Sequence, residues 1–189
     1  MPHVYLLDKD HPGINAQLDA ATGAIETIEY EHHEIHSGSS YMAWAMQKTS
    51  NADDKSTTVT LTTPNTTKWF HLIPFGETTG EAHFIVKEGV TIGTKTSDVT
   101  AYNRNRNSTK TSAGTLQYFD EDATGEVTGG TQIYHEHLGA GRTSADATTG
   151  RDEIILKQNE SYSFVIENEG AAANIHNIIL NWYEHTDKR

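Results

Sequence analysis

Eleven histidines stand in a chain of 189 residues, and their spacing is where chemistry would first be sought. The densest group is Glu31-His32-His33-Glu34-Ile35-His36. Read as a strand, it sets His32, Glu34 and His36 on one face and His33 and Ile35 on the other. His135 and His137 likewise share a face. Neutral imidazoles that converge in this way can hold one metal ion. A barrel metalloenzyme that starts its site with His-x-His also needs a following Glu and a distant His. Here His137 is followed by Leu138-Gly139-Ala140-Gly141. His33-Glu34-Ile35-His36 is one residue short of the zinc-protease helix motif and lies in a strand pattern. The ligand sets are incomplete, so we expect histidines that cover apolar neighbours and bond across strands, with no metal and no other cofactor.

Other candidate sites are weaker. Asp120-Glu121-Asp122-Ala123-Thr124-Gly125 copies the first half of a calcium-binding loop, but its twelfth position is Thr131, which supplies no bidentate carboxylate. Tyr102-Asn103-Arg104-Asn105-Arg106-Asn107-Ser108 is the only basic cluster. If extended, Arg104 and Arg106 point the same way. They can lock a loop through guanidinium bonds, dock an acidic partner, or pair with this protein's own acids. Two arginines without interleaved aromatics do not make a nucleic-acid site. No nucleophile elbow, phosphate loop or dinucleotide glycine motif is present. Cysteine is absent, which excludes disulfides and thiol chemistry. We expect no catalytic residues and no enzyme.

The elements that would carry these residues read as strands. In residues 151–168, Ile154 and Leu156 share a face, Lys157-Gln158-Asn159-Glu160 is a polar turn, and Tyr162, Phe164 and Ile166 share the next face. That pattern predicts a β-hairpin with one buried side. Further strands are expected at 24–36, 41–48, 56–63, 68–75, 81–87, 90–94, 99–104, 116–119, 131–138 and 174–185. Turn signals stand between them, among them Ser37-Gly38-Ser39, Pro74-Phe75-Gly76, Glu88-Gly89 and Gly129-Gly130. In the last strand Ile178, Leu180 and Trp182 occupy one face and Ile175, Ile179 and Tyr183 the other. Such a strand is either central in its sheet or covered outside by a second subunit. Residues 105–114 and 139–150 are long for hairpin loops, and long ordered loops often carry binding. The expectation is an all-β, jelly-roll-like antiparallel β-sandwich over residues 24–189 with negligible helix.

Residues 1–23 form an arm. Val4, Tyr5, Leu6 and Leu7 make an apolar patch too short to fold alone. It gains stability either by joining a neighbour's sheet edge or by pairing in the protein's own sheet. The patch is too short for a signal peptide, and no apolar run reaches membrane-spanning length. A soluble protein made in a cytoplasm is expected. The net charge is −12 and the sequence pI about 5.2, with a mean hydropathy of −0.61. That charge opposes association with nucleic-acid phosphates and favours solubility.

Three segments together resemble a group of small virion structural proteins of tailed bacteriophages. They are His32-His33-Glu34-Ile35-His36 with its Gly turn, the Tyr102–Ser108 segment, and Arg151 to Asn159 leading to Asn181-Trp182-Tyr183-Glu184-His185. The similarity spans about residues 25–187 and leaves out the arm. It implies a capsid decoration, or cement, protein on the outer surface of the head, bound to the major capsid protein and often trimeric. Under that reading the arm residues Val4, Tyr5, Leu6 and Leu7, together with Arg104, Arg106, Trp182 and Tyr183, are the expected contact residues, with no nucleic-acid or membrane partner. A head or tail fibre module binding host glycan is the alternative, and a cupin-like metalloenzyme is a third.

Overall fold

The computed structural model of the protein describes residues 30–47, 55–120, 126–139 and 153–186. The arm patch Val4–Leu7 and most of the 139–150 segment lie outside these residues. Among the described residues the chain forms an antiparallel β-sandwich of two sheets with one short helix. In order, the elements are α1 (Tyr30–Ser37), β1 (Ser40–Met46), β2 (Ser56–Thr62), β3 (Lys68–Thr78), β4 (Ala82–Ile92), β5 (Ser97–Asp98), β6 (Tyr102–Asn103), β7 (Thr115–Phe119), β8 (Val127–Leu138), β9 (Ile154–Leu156), β10 (Ser161–Asn168) and β11 (His176–Thr186). One sheet runs β6-β1-β11-β3-β9 and the other β5-β7-β2-β10-β4-β8.

Consecutive long strands change sheets. β1 and β3 belong to one layer, β2 and β4 to the other, and β9, β10 and β11 alternate in the same way. The alternating apolar faces then meet in one core. Leu61, Phe84, Phe164 and Ile166 come from the six-stranded sheet, and Leu72, Ile178, Leu180 and Trp182 from the five-stranded one. All are at most 2% exposed. The layers approach closely at Gly76, where an added Cβ would stand 2.7 Å from Phe84 Cδ2. A side chain there would force one of the most buried rings aside.

Several expectations need correction. Residues 151–168 are not a hairpin: β9 pairs with β3 and β10 with β2 and β4. The polar turn is a crossover between sheets. Leu156 and Tyr162 are both 1% exposed, so the buried faces were read correctly. The period of two says which side is buried but not which layer provides the cover. Asn159 takes the positive φ that the turn needs (54°).

The described part of the predicted 24–36 strand is helix α1. Its apolar content cannot build a sheet face, and Glu34 is its buried residue. Gly38 ends it with φ 73°, donating to the Ile35 carbonyl at 3.0 Å, while Ser39 N donates to Glu34 O at 2.9 Å. These bonds satisfy the last carbonyls of the helix.

Predicted turns at Pro74-Phe75-Gly76, Glu88-Gly89 and Gly129-Gly130 lie inside strands. Among the described residues β9 pairs with β3 only at Phe70–Leu72, so Pro74 lies beyond that pairing, where a missing N–H costs little. Gly89, Gly129 and Gly130 have φ between 70° and 84° and face one another across β4 and β8, whose register shifts between Val86 and Lys87. The glycines absorb an irregularity within one long strand pair.

β11 is central, between β1 and β3. His176 lies on its inner face with no exposure, and its Nδ1 is 3.2 Å from Thr57 Oγ1. Burial pushes its pKa from 6.5 down to about 4. The unfolded chain therefore takes up a proton between those values that the folded chain refuses. Stability should be full above pH 6.5 and fall as the pH drops toward 4, by at most about 1.4 kcal/mol per pH unit from this group. Urea unfolding between about pH 7 and about pH 5 checks this, and His176→Gln should remove that part of the slope.

Candidate functional site

The segments that carried the resemblance meet at one end of the sandwich. Asn103 Nδ2 donates to the carbonyls of Gly38 at 2.8 Å and Lys110 at 3.1 Å. Asn103 Oδ1 receives the Asn105 N–H at 2.9 Å, and Asn105 Nδ2 donates to His36 O at 3.1 Å. Lys110 Nζ caps the helix end at Ser37 O, 2.8 Å away. An added Cβ on Gly38 would meet Ser108 Oγ. The 102–114 segment is thus sewn to α1 by side chains that replace strand pairing.

Arg104 and Arg106 take part in that sewing. Arg104 pairs with Glu31 and lies 3.4 Å from Ser40 Oγ. Arg106 donates to Asn103 O at 3.4 Å, and its guanidinium lies 5.6 Å from the centre of the Tyr102 ring. Both arginines make loop-locking contacts within the chain. Trp182 is also internal: it is 2% exposed, stacks on Tyr41 with ring centres 5.8 Å apart and donates to Glu184 at 3.1 Å. Having no free surface, it is a core residue and not a subunit anchor. Tyr183, 7% exposed, faces outward but is covered by His71 and donates to Glu153 at 2.9–3.0 Å.

Three surfaces have features a ligand could use. The first is a groove of about 450 Å³ beside β1, lined by Trp44, Met46, Tyr102, Tyr118, Asp98 and Asp120 among others. Trp44 is 50% and Met46 54% exposed, and Trp44 stacks on Tyr102 at 5.0 Å. The second is on the outer face of β3 and β11. There His71 Nδ1 is 2.5 Å from Glu153, and His71 Nε2 is 2.6 Å from His185 Nε2.

The third lies across β10, β4 and β8. His83 is opposite His137, and Ile85 is opposite His135. His83 touches His135 through ring nitrogens and touches the Glu169 carboxylate. His137 Nε2 is 3.4 Å from Glu81. His135 and His137 share an exposed face, as their spacing predicted. His83 and Glu169 were missed because only the strand register brings them near, and no local pattern encodes it. His32 and His36, expected on one strand face, meet instead one helical turn apart at 2.9 Å.

No protein-family profile, curated protein or solved structure matches the chain. Asn103 should be the stabilising residue of the helix–loop end. Asn103→Ala leaves two carbonyls and one N–H without a partner and should cost roughly 2 kcal/mol or more. Arg104→Ala, with a partly exposed partner, should cost under about 1 kcal/mol. Urea denaturation of the two variants checks the order; equal losses would be wrong for this account.

Proposed function

We propose that the sandwich is a jelly roll and that the protein is a bacteriophage virion structural protein of the capsid decoration type. The observation that carries the reading is the strand order. With the three strands between β4 and β8 set aside, β1-β11-β3-β9 faces β2-β10-β4-β8. Double-sheet jelly rolls occur in viral capsid proteins, lectins and cupins. The order alone is an analogy of fold, since one fold hosts many functions. The resemblance of the 32–36, 102–108, 151–159 and 181–185 segments to virion proteins selects among these classes.

In this reading the partners are the major capsid protein and further copies of the chain, most simply as a homotrimer on the outer head surface. Nucleic acid and membrane are not partners. The contribution is contact area: a subunit that binds the assembled shell and not its dismantled parts shifts the equilibrium toward the shell by mass action. With Trp182 internal, the exposed Trp44 and Met46 are the apolar residues best suited to such a contact. Particles that lack the protein should release their DNA at lower temperature than complete ones. Equal release temperatures would remove the cement role. Light scattering of the free protein should give three times the chain mass, and a 20.9 kDa species would exclude the trimer.

One observation favours the glycan-binding fibre reading. Trp44 stacked on Tyr102, with Asp98 and Asp120 lining the same groove, joins an aromatic platform to hydroxyl acceptors. If that reading holds, Trp44→Ala should abolish retention on host glycans and leave particle incorporation intact. The decoration reading expects the loss in incorporation.

A further inference from the structure

We propose that His83, His137 and Glu169 form a binding site for one divalent transition-metal ion of the zinc class. One ligand atom from each of the three lies within 4.8 Å of the others. The backbone explains the convergence. β10, β4 and β8 are adjacent in the sheet, His83 pairs with His137 across two of them, and Glu169 follows directly after the last residue of the third. Cross-strand neighbours on one face stand about 5 Å apart, which is the span of a shared metal.

The donor set suits that class of ion. Two imidazoles and one carboxylate bind zinc and its neighbours in preference to calcium or magnesium, which take oxygen ligands. Ligand distances of about 2.1 Å put donors roughly 3.4 Å apart around a tetrahedral ion, so the His83–Glu169 contact must open to admit the ion while His137 closes on it. His137 and Glu169 are about half exposed and free to turn toward the ion. His83 is the fixed member, with a side chain 19% exposed. Its ring is held on one side by His135, at a centroid distance of 4.6 Å, and stands at 85° to His137. Its Nε2 is buried and makes no aligned hydrogen bond, although the Glu169 carboxylate is beside it. A metal ion would satisfy both groups. Glu81, near His137, is placed to orient that imidazole or to supply a fourth oxygen.

The consequence is mechanical. β8 ends its sheet and buries only Leu138. Little apolar contact holds it, and an ion tying His137 to His83 and Glu169 would fasten this edge to the two strands beside it.

The test uses the full-length protein, stripped with chelator and titrated with zinc chloride at neutral pH by calorimetry. One zinc per chain should bind at micromolar or lower concentration and raise the melting temperature. His83→Gln, His137→Gln and Glu169→Gln should each weaken binding about tenfold or more. The double variant His32→Gln, His36→Gln should bind as the parent does. Cobalt should give visible absorption bands that the His83 and His137 variants lose. Absence of saturable zinc binding overturns the proposal. So does binding that survives all three substitutions or disappears in the His32/His36 variant. Glu169 is half exposed and follows the strand, so Glu169→Gln decides the matter should the histidine variants fail to fold.

Discussion

A buried carboxylate holds one end of this sandwich together. Glu184, 1% exposed on β11, accepts from Ser112 Oγ at 2.6 Å, from the Ala113 N–H at 3.2 Å and from Trp182 Nε1 at 3.1 Å, with Lys68 Nζ 3.6 Å away. An ion in that position costs several kcal/mol in lost hydration, which only a full set of charge-assisted bonds offsets. The bonds come from three distant parts of the chain, so β3, β11 and the 105–114 segment must be in place together. Burial, and behind it the negative charge of Glu184, pushes the Tyr41 hydroxyl up to about 12, and it donates to Thr111 O at 3.1 Å. Just beyond, Gly114 passes so close to Leu61 and Phe70 that a Cβ would stand within 3 Å of both.

The crossover from β9 to β10, at the same end of the sandwich, is fixed by similar means. Lys157, beside the β9–β10 turn, pairs at 2.5 Å with Glu88 of β4, which also receives the Tyr162 hydroxyl at 3.0 Å. Lys157 holds the Glu88 carboxyl below its ordinary range, and burial raises Tyr162. The pair is solvent-exposed on the lysine side and worth little by itself. Its value is positional, because it ties a turn to the sheet that the next strand enters. The motifs that look most like a site, the asparagine–arginine segment and the histidine-rich helix, are likewise consumed by the fold. Among the described residues, what remains for recognition are three surfaces: the Trp44 groove, the histidine face of β3 and β11, and the histidine face of β4 and β8.

Period-two alternation made the layers legible. β10 begins and ends where its pattern does, and Tyr162, Phe164 and Ile166 form its buried face as the alternation requires. Alternation carries no information about which strand is the neighbour. That is why β9 and β10 were read as partners when they stand in opposite sheets. α1 escaped notice because its eight residues bury a glutamate rather than an apolar stripe, so neither period appears. Glycines at 89, 129 and 130 read as turns because positive φ is their usual use there; here they serve a strand irregularity. The groove was hidden for a related reason: Trp44 alternates like a core residue, yet it lies on the outer side of its strand. The histidine face depended on register, which long-range packing sets and local sequence does not.

That face also bears on how the protein avoids the wrong partners. β5, β6 and β9 terminate their sheets with two or three residues, too short to template another chain. β8 is different, a twelve-residue strand at the end of its sheet. A flat edge of that length invites pairing. The irregularity at Val86 and Lys87, which leaves Ile133 out of register, and the positive φ of Gly129 and Gly130 break its N-terminal half, so only the stretch from Tyr134 to Leu138 stays regular. His135 and His137 stand there on the outer face, over a sheet whose chain carries −12. Imidazoles there present polar atoms in place of the apolar surface that would recruit a stray strand. The same residues thus keep the edge polar and leave it one place where the proposed ion would hold it fast.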